Sequence, residues 1–118
     1  MKLYRGDVVL AWFPHASGTG GKHRPCVVIQ NDEDNGRIAN TLVVFTTSKL
    51  SRRGDKSHVH VDVATVEGKR TGLLCDSLIS CNNIATIEQS LVSRVIGSLA
   101  PSILAETNDC LRAAMELV

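Results

Sequence analysis

Residues 20–32 read GGKHRPCVVIQND: two glycines, three basic or ionisable side chains (Lys22, His23, Arg24), a proline, then an apolar β-branched run. Proline lacks a backbone N–H, so Pro25 belongs at the beginning of a strand, and it biases Arg24 toward an extended backbone. PCVVIQ (25–30) is therefore predicted as a strand that opens at a cationic mouth. Arg24 at that mouth carries a planar fork of donors suited to phosphate oxygens or to developing negative charge. On local sequence alone, a surface ion pair with Asp7 or Asp76 is the plainer use of the same guanidinium.

Similar runs surround this one. GDVVLAWF (6–13), TLVVFTT (41–47) and HVHVDVATV (58–66) are short, β-branched and separated by Gly, Asn, Asp and Ser clusters, the pattern of strands and turns. TGLLCDSLIS (71–80), NNIATI (82–87) and LVSRVIGSL (91–99) add further strand candidates. From Pro101 the period changes: Ile103, Leu104, Thr107, Leu111, Ala114, Met115 and Val118 recur at three- and four-residue spacing, which lines one helical face. Pro101 suits the first helical position. The expected fold class is mainly β: a small barrel of about five to seven short strands, closed to avoid exposed edges, with a C-terminal amphipathic α-helix packed on it.

The chain has 118 residues, 43% apolar and 21% charged, which fits one ordered domain spanning 1–118 without a linker. VVLAWF, six residues after Asp7, faintly imitates a leader but reads as a strand. No apolar run approaches the roughly 20 residues needed to span a bilayer, so no membrane role and a cytoplasmic location are expected. The four cysteines (Cys26, Cys75, Cys81, Cys110) form no C-x-x-C pair and read as reduced core thiols.

Net charge is only +1, but its distribution is uneven. Residues 1–75 carry eleven Lys and Arg against seven Asp and Glu; residues 76–118 carry two against five. A positive first part attracts polyanions. With only Tyr4, Trp12, Phe13 and Phe45 as aromatics, a sheet that reads RNA by stacking bases on rings is disfavoured. Two loops stand out: PHASGTGGKH (14–23), glycine-rich and able to bring backbone N–H groups to a ligand, and SKLSRRGDKS (48–57), with Lys49, Arg52, Arg53 and Lys56. Brought to one face, they form a basic groove.

Strand alternation in TLVVFTT places Thr46 at the end of a buried row, where its hydroxyl binds either a phosphate or a neighbouring backbone group. His58, His60 and Asp62 share one face of HVHVDV, a spacing compatible with metal ligation. Half-buried strands alternate in the same way, and one short strand supplies all three groups, so no metal is expected. GTGGK lacks the full spacing of a phosphate loop and its following Ser or Thr.

The order of the pieces resembles the MazF/PemK toxins of bacterial type II toxin-antitoxin modules. It runs R-G-D-V, a Gly-rich loop, HRPCVVIQND, a strand ending FTTS, HVHVDV, CDSLIS with NNIATI, RVIGSL and a C-terminal helix, over nearly the whole chain. Arg24-Pro25 with its strand, and Thr46 with its neighbours, are the most specific parts. The resemblance implies an SH3-like barrel, a homodimer, and sequence-specific, metal-independent endoribonuclease activity on single-stranded RNA without a cofactor. It also implies a cognate antitoxin whose flexible segment covers the RNA groove, and DNA binding in company with that antitoxin. It places the family's catalytic arginine on Arg24 and its active-site threonine on Thr46; His23 matches members with His-Arg-Pro. Two departures stand out. Many members carry a Glu ahead of the Arg-Pro where this chain has SGTGGK, and the PemK branch has a catalytic arginine where this chain has Leu74.

RNA supplies its own nucleophile, the ribose 2′-OH, so cleavage to a 2′,3′-cyclic phosphate requires a base, a leaving-group acid and stabilisation of the charged phosphorus centre. The expected division of labour has Arg24 and Thr46 on the scissile phosphate. His23 carries the proton, being the side-chain type that ordinarily titrates nearest neutral pH, and Asp76 is a secondary acid or base. Lys22, Thr47, Ser48, Lys49, Arg52, Arg53 and Lys56 are expected to contact substrate. The alternative is a non-catalytic module on the same barrel, resembling the CcdB gyrase poisons or a degenerate RNA-binding relative. The Arg24/Thr46 pair disfavours it.

Overall fold

The computed structural model describes residues 1–117. It contains strands β1 (Asp7–Pro14), β2 (Gly21–Val28), β3 (Asn40–Thr47), β4 (His58–Val61), β5 (Ser77–Glu88) and β6 (Val92–Ser98). The helices are α1 (Asp32–Arg37), α2 (Val66–Arg70) and α3 (Pro101–Met115). All strand pairs are antiparallel, and the order across the single sheet is β4-β5-β3-β2-β1-β6.

The mainly β fold with a terminal helix is as expected, but the barrel is not closed by hydrogen bonds: β4 and β6 end the strand order. The segment around Arg70–Gly72 takes the place of the missing ladder. A Cβ on Gly72, whose φ is +73°, would strike the Ile96 carbonyl, and one on Gly97 would strike the backbone of Arg70 and Thr71. Each approach is possible because the glycine on one side of it lacks a Cβ. The Arg70 Nε donates to the Ser98 hydroxyl at 3.1 Å beside them. Packing therefore covers the β6 edge where pairing was predicted.

The bent sheet buries apolar side chains on both faces. Val8, Val27, Val44, Val59, Val61, Ile79 and Cys81 pack with Leu99, Ile103 and Leu111 toward α3, while Leu3, Val9, Ala11, Cys26, Val28, Val43, Ile87 and Val92 form the second cluster. Alternation along β1, β2 and β3 sends successive valines to opposite clusters. Of the predicted helical face, Ile103, Thr107 and Leu111 are buried, Leu104 and Ala114 pack at the margin, and Met115 is exposed. Val118 lies outside the described residues.

Several boundaries differ from expectation. β2 begins at Gly21, because Gly21–Arg24 pair with Ala11–Pro14, so the glycine-rich loop is shorter than predicted. β4 stops at Val61, where Asp62 accepts the Ala64 N–H and the Thr65 hydroxyl caps α2 by accepting the Gly68 N–H. The short α1 starts the same way, with the Asn31 side chain accepting the Asp34 N–H. LIS and NNIATI join in one long β5, interrupted where Phe45 pairs with Ser80 and Val44 with Ile84, which leaves Cys81–Asn83 as a bulge.

Candidate functional site

The pairing of β2 with β3 ends at Cys26 and Phe45. The next residue, Pro25, has no N–H with which to extend the ladder, and the Thr46 hydroxyl donates instead to the Pro25 carbonyl at 3.1 Å. On its other side Pro25 faces Leu10 of β1, and Leu10 faces Arg94 of β6. Directly opposed residues project to one face, so Thr46, Pro25, Leu10 and Arg94 form a row across four strands.

That row lies in a groove of about 820 Å³ whose polar lining includes Lys22, His23, Arg24, Thr46, Thr47, Ser48, Lys49 and Arg94. Leu10, Leu73, Leu74, Val95 and Ile96 supply its apolar surface. Four cations line the groove and no Asp or Glu does. Among the described residues, none of the four is held in an ion pair. Such a surface attracts anions and presents no competing carboxylate. A second groove of about 610 Å³ shares Arg24, Thr46, Thr47 and Lys49 with the first and continues over Arg52, His58, Asn82 and Asn83. The shared residues form a ridge between the two.

Aromatic contacts steady the ridge. The Arg24 guanidinium stands 5.2 Å from the centre of the Phe45 ring, which packs on Phe13 at 4.8 Å. This arrangement orients the cation without neutralising it. His23 lies edge-on to its cross-strand partner Trp12, with ring centres 5.3 Å apart. Beneath Arg24, burial pushes the Cys26 thiol up to about 12, against the downward pull of the arginine charge. Thr47 Oγ1 accepts the Lys49 N–H at 3.1 Å and fixes the start of the basic loop.

The structure thus brings together Lys22, His23, Arg24, Thr46, Thr47, Ser48 and Lys49, with Arg52 in the adjoining groove. It does not bring in the rest. Asp76 is not part of the lining of either groove: one carboxylate oxygen accepts the Val63 N–H at 3.0 Å, and the other faces His60 Nε2 at 3.9 Å. Arg53 belongs to an exposed turn closed by its N–H on the Leu50 carbonyl, and Lys56 lies by Ala113 and Ala114 of α3. The strand-face trio also disperses, with His58 beside the Ser57 hydroxyl, His60 toward Asp76 and Asp62 in the turn before α2. Arg24 pairs with neither Asp7 nor Asp76; Asp7 accepts the Tyr4 N–H.

Two lining residues carried no distinctive sequence signal. Arg94 stands alone in LVSRVIGSL, and only the strand order, which puts β6 beside β1, delivers it to the groove. Cys75, expected in the core, is an exposed groove residue, whereas Cys26 and Cys81 are buried free thiols.

Fold and groove together define a class: a small bent antiparallel sheet with a terminal helix and one cationic, carboxylate-free face suited to a polyanion. Residues 4–115 match the family described as PemK-like, MazF-like toxin of type II toxin-antitoxin system, and the chain belongs to that family. It is 29% identical over 119 residues to Endoribonuclease EndoA of Bacillus subtilis (strain 168), covering 100% of this chain and 98% of the relative. The fold is similar to that of a MazE-MazF structure from Deinococcus radiodurans, with a TM-score of 0.77, 16% identity and complete coverage of both chains. It is also similar to an endoribonuclease in complex with its cognate antitoxin from a mycobacterial species, with a TM-score of 0.75 and 21% identity over 98% of this chain and 97% of that one.

Proposed function

We propose that this chain is an endoribonuclease toxin that cuts single-stranded RNA at short sequences, without a metal or cofactor, on the ridge formed by Arg24 and Thr46. The carboxylate-free groove beside that ridge, lined by four cations, carries the proposal. Arg24 and Thr46 hold the scissile phosphate, and the guanidinium stabilises the charge that grows on its oxygens in the transition state. His23 takes the proton from the 2′-OH, O2′ bonds to phosphorus, the P–O5′ bond breaks, and O5′ leaves with a proton from water. The products are a 2′,3′-cyclic phosphate and a free 5′-OH. Lys22, Ser48, Lys49 and Arg52 contact the strand, while Asp76 positions the start of β5 through its hold on Val63.

The active protein is proposed to be a cytoplasmic homodimer restrained by a cognate antitoxin, whose acidic segment fits the cationic groove; no helix among the described residues is long and apolar enough to cross a membrane. Incubating purified protein with a long RNA in EDTA tests the proposal. Discrete fragments with cyclic-phosphate ends are expected. Intact RNA together with tight capture of a protein target would favour a non-catalytic binding module.

A further inference from the structure

We propose that Arg94 binds a second RNA phosphate, other than the one that is cut, and so fixes the line along which the strand crosses the sheet. The inference rests on the groove being an RNA site and goes beyond it, because it assigns a residue from an element that supplies none of the expected site residues. Thr46 and Arg94 are the two ends of one cross-strand row, with Pro25 and Leu10 between them. Neighbouring strands are about 4.8 Å apart, so three intervals separate the ends by roughly 14 Å. Arg94 is therefore placed to reach a phosphate other than the one on Thr46.

Between the ends the row is apolar, with Pro25 and Leu10 offering no donor to a phosphate, so it alternates anion contact, apolar floor, anion contact. An extended single strand laid across the strands of the sheet has this alternation of phosphates and bases. Arg94 is exposed and, among the described residues, has no ion-pair partner, which leaves its fork of donors available. No carboxylate lines the groove to compete for it.

The test uses binding of a 2′-O-methyl RNA that cannot be cut, comparing the full-length protein with Arg94→Gln and Arg94→Lys. For a strand long enough to cross the groove, Arg94→Gln should weaken binding about tenfold, in keeping with loss of one charge-assisted contact. It should also lower the slope of log affinity against log salt by about 0.7. Arg94→Lys should restore most of the affinity, and a dinucleotide carrying a single phosphate should bind wild type and Arg94→Gln alike. Unchanged affinity of Arg94→Gln for the long strand overturns the inference, as does an equal loss on the dinucleotide. Cleavage of ordinary RNA by the wild type is read in parallel. An Arg94-dependent protein that binds without cutting refutes the nuclease proposal alone, and a cutting protein indifferent to Arg94 refutes this one alone.

Discussion

The hydroxyl of Thr46 donates to the carbonyl of Pro25 at 3.1 Å, one residue from Arg24. Pro25 cannot extend the β2–β3 ladder, so this bond ties the middle of β2 to the end of β3, next to the Arg24 guanidinium that lies over Phe45. Thr46 is 5% exposed, with one face toward the groove. A hydroxyl has one proton to give, so donation to a phosphate, as proposed, requires Thr46 to exchange the carbonyl for the anion. Thr46→Val keeps the shape and removes the donor. It should cost about 1 kcal/mol of stability and most of the cleavage rate, whereas Thr46→Ser should retain both. Urea unfolding and cleavage kinetics read the two effects; full activity in Thr46→Val contradicts the assignment.

The substitute for barrel closure is equally specific. Gly72 lies at φ +73° with its Cα against the Ile96 carbonyl. Gly72→Ala should destabilise the protein by about 2 kcal/mol or more, because it adds backbone strain to a clash between packed chains. An unchanged urea midpoint would mean that β6 is held in some other way.

Much of this was legible in the sequence. The β-branched runs VVLAWF, CVVIQ and TLVVFTT located three strands, but Pro25 marks where β2 stops pairing with β3 and not the start of β2, which lies at Gly21. The terminal helix followed from its period and from Pro101. The helices α1 and α2 were missed because five or six residues are too few to show a period, although Asn31 and Thr65 stand as caps before them. Asp76, expected as a secondary acid or base, and Arg94, assigned no role from the sequence, show one limit: a side chain's destination depends on which strand lies beside its own. Asp76 turns to the chain leaving β4, and Arg94 enters the groove through β1.

The cationic groove predicts a steep salt response. Each neutralised phosphate on a single strand contributes a slope of about −0.7 in log affinity against log salt. Lys49 is exposed and shared by both grooves, so Lys49→Ala should lower the slope by one such step while leaving the fold intact. Affinity that is flat from low to physiological salt is incompatible with this surface.

The thiols should divide by burial. Cys75 is exposed in the groove, while burial pushes Cys26 and Cys81 up to about 12 from an ordinary 9.0. With a thiol reagent at mildly alkaline pH, Cys75 should react at once and Cys26 and Cys81 only on unfolding. Above pH 9.0 the unfolded chain loses thiol protons that the folded chain keeps, so stability should fall as pH rises toward 12. Rapid modification of all four cysteines in the native protein is the contrary result.

The most direct test of the account is the single-turnover cleavage rate of one RNA by wild type and Arg24→Ala at saturating enzyme, in EDTA, with both proteins shown to be equally folded. Removing a preorganised donor from a charged transition state costs about 10²–10³ in rate. The account predicts a loss of that size with cyclic-phosphate ends only in the wild type; rates within about twofold of each other would contradict it.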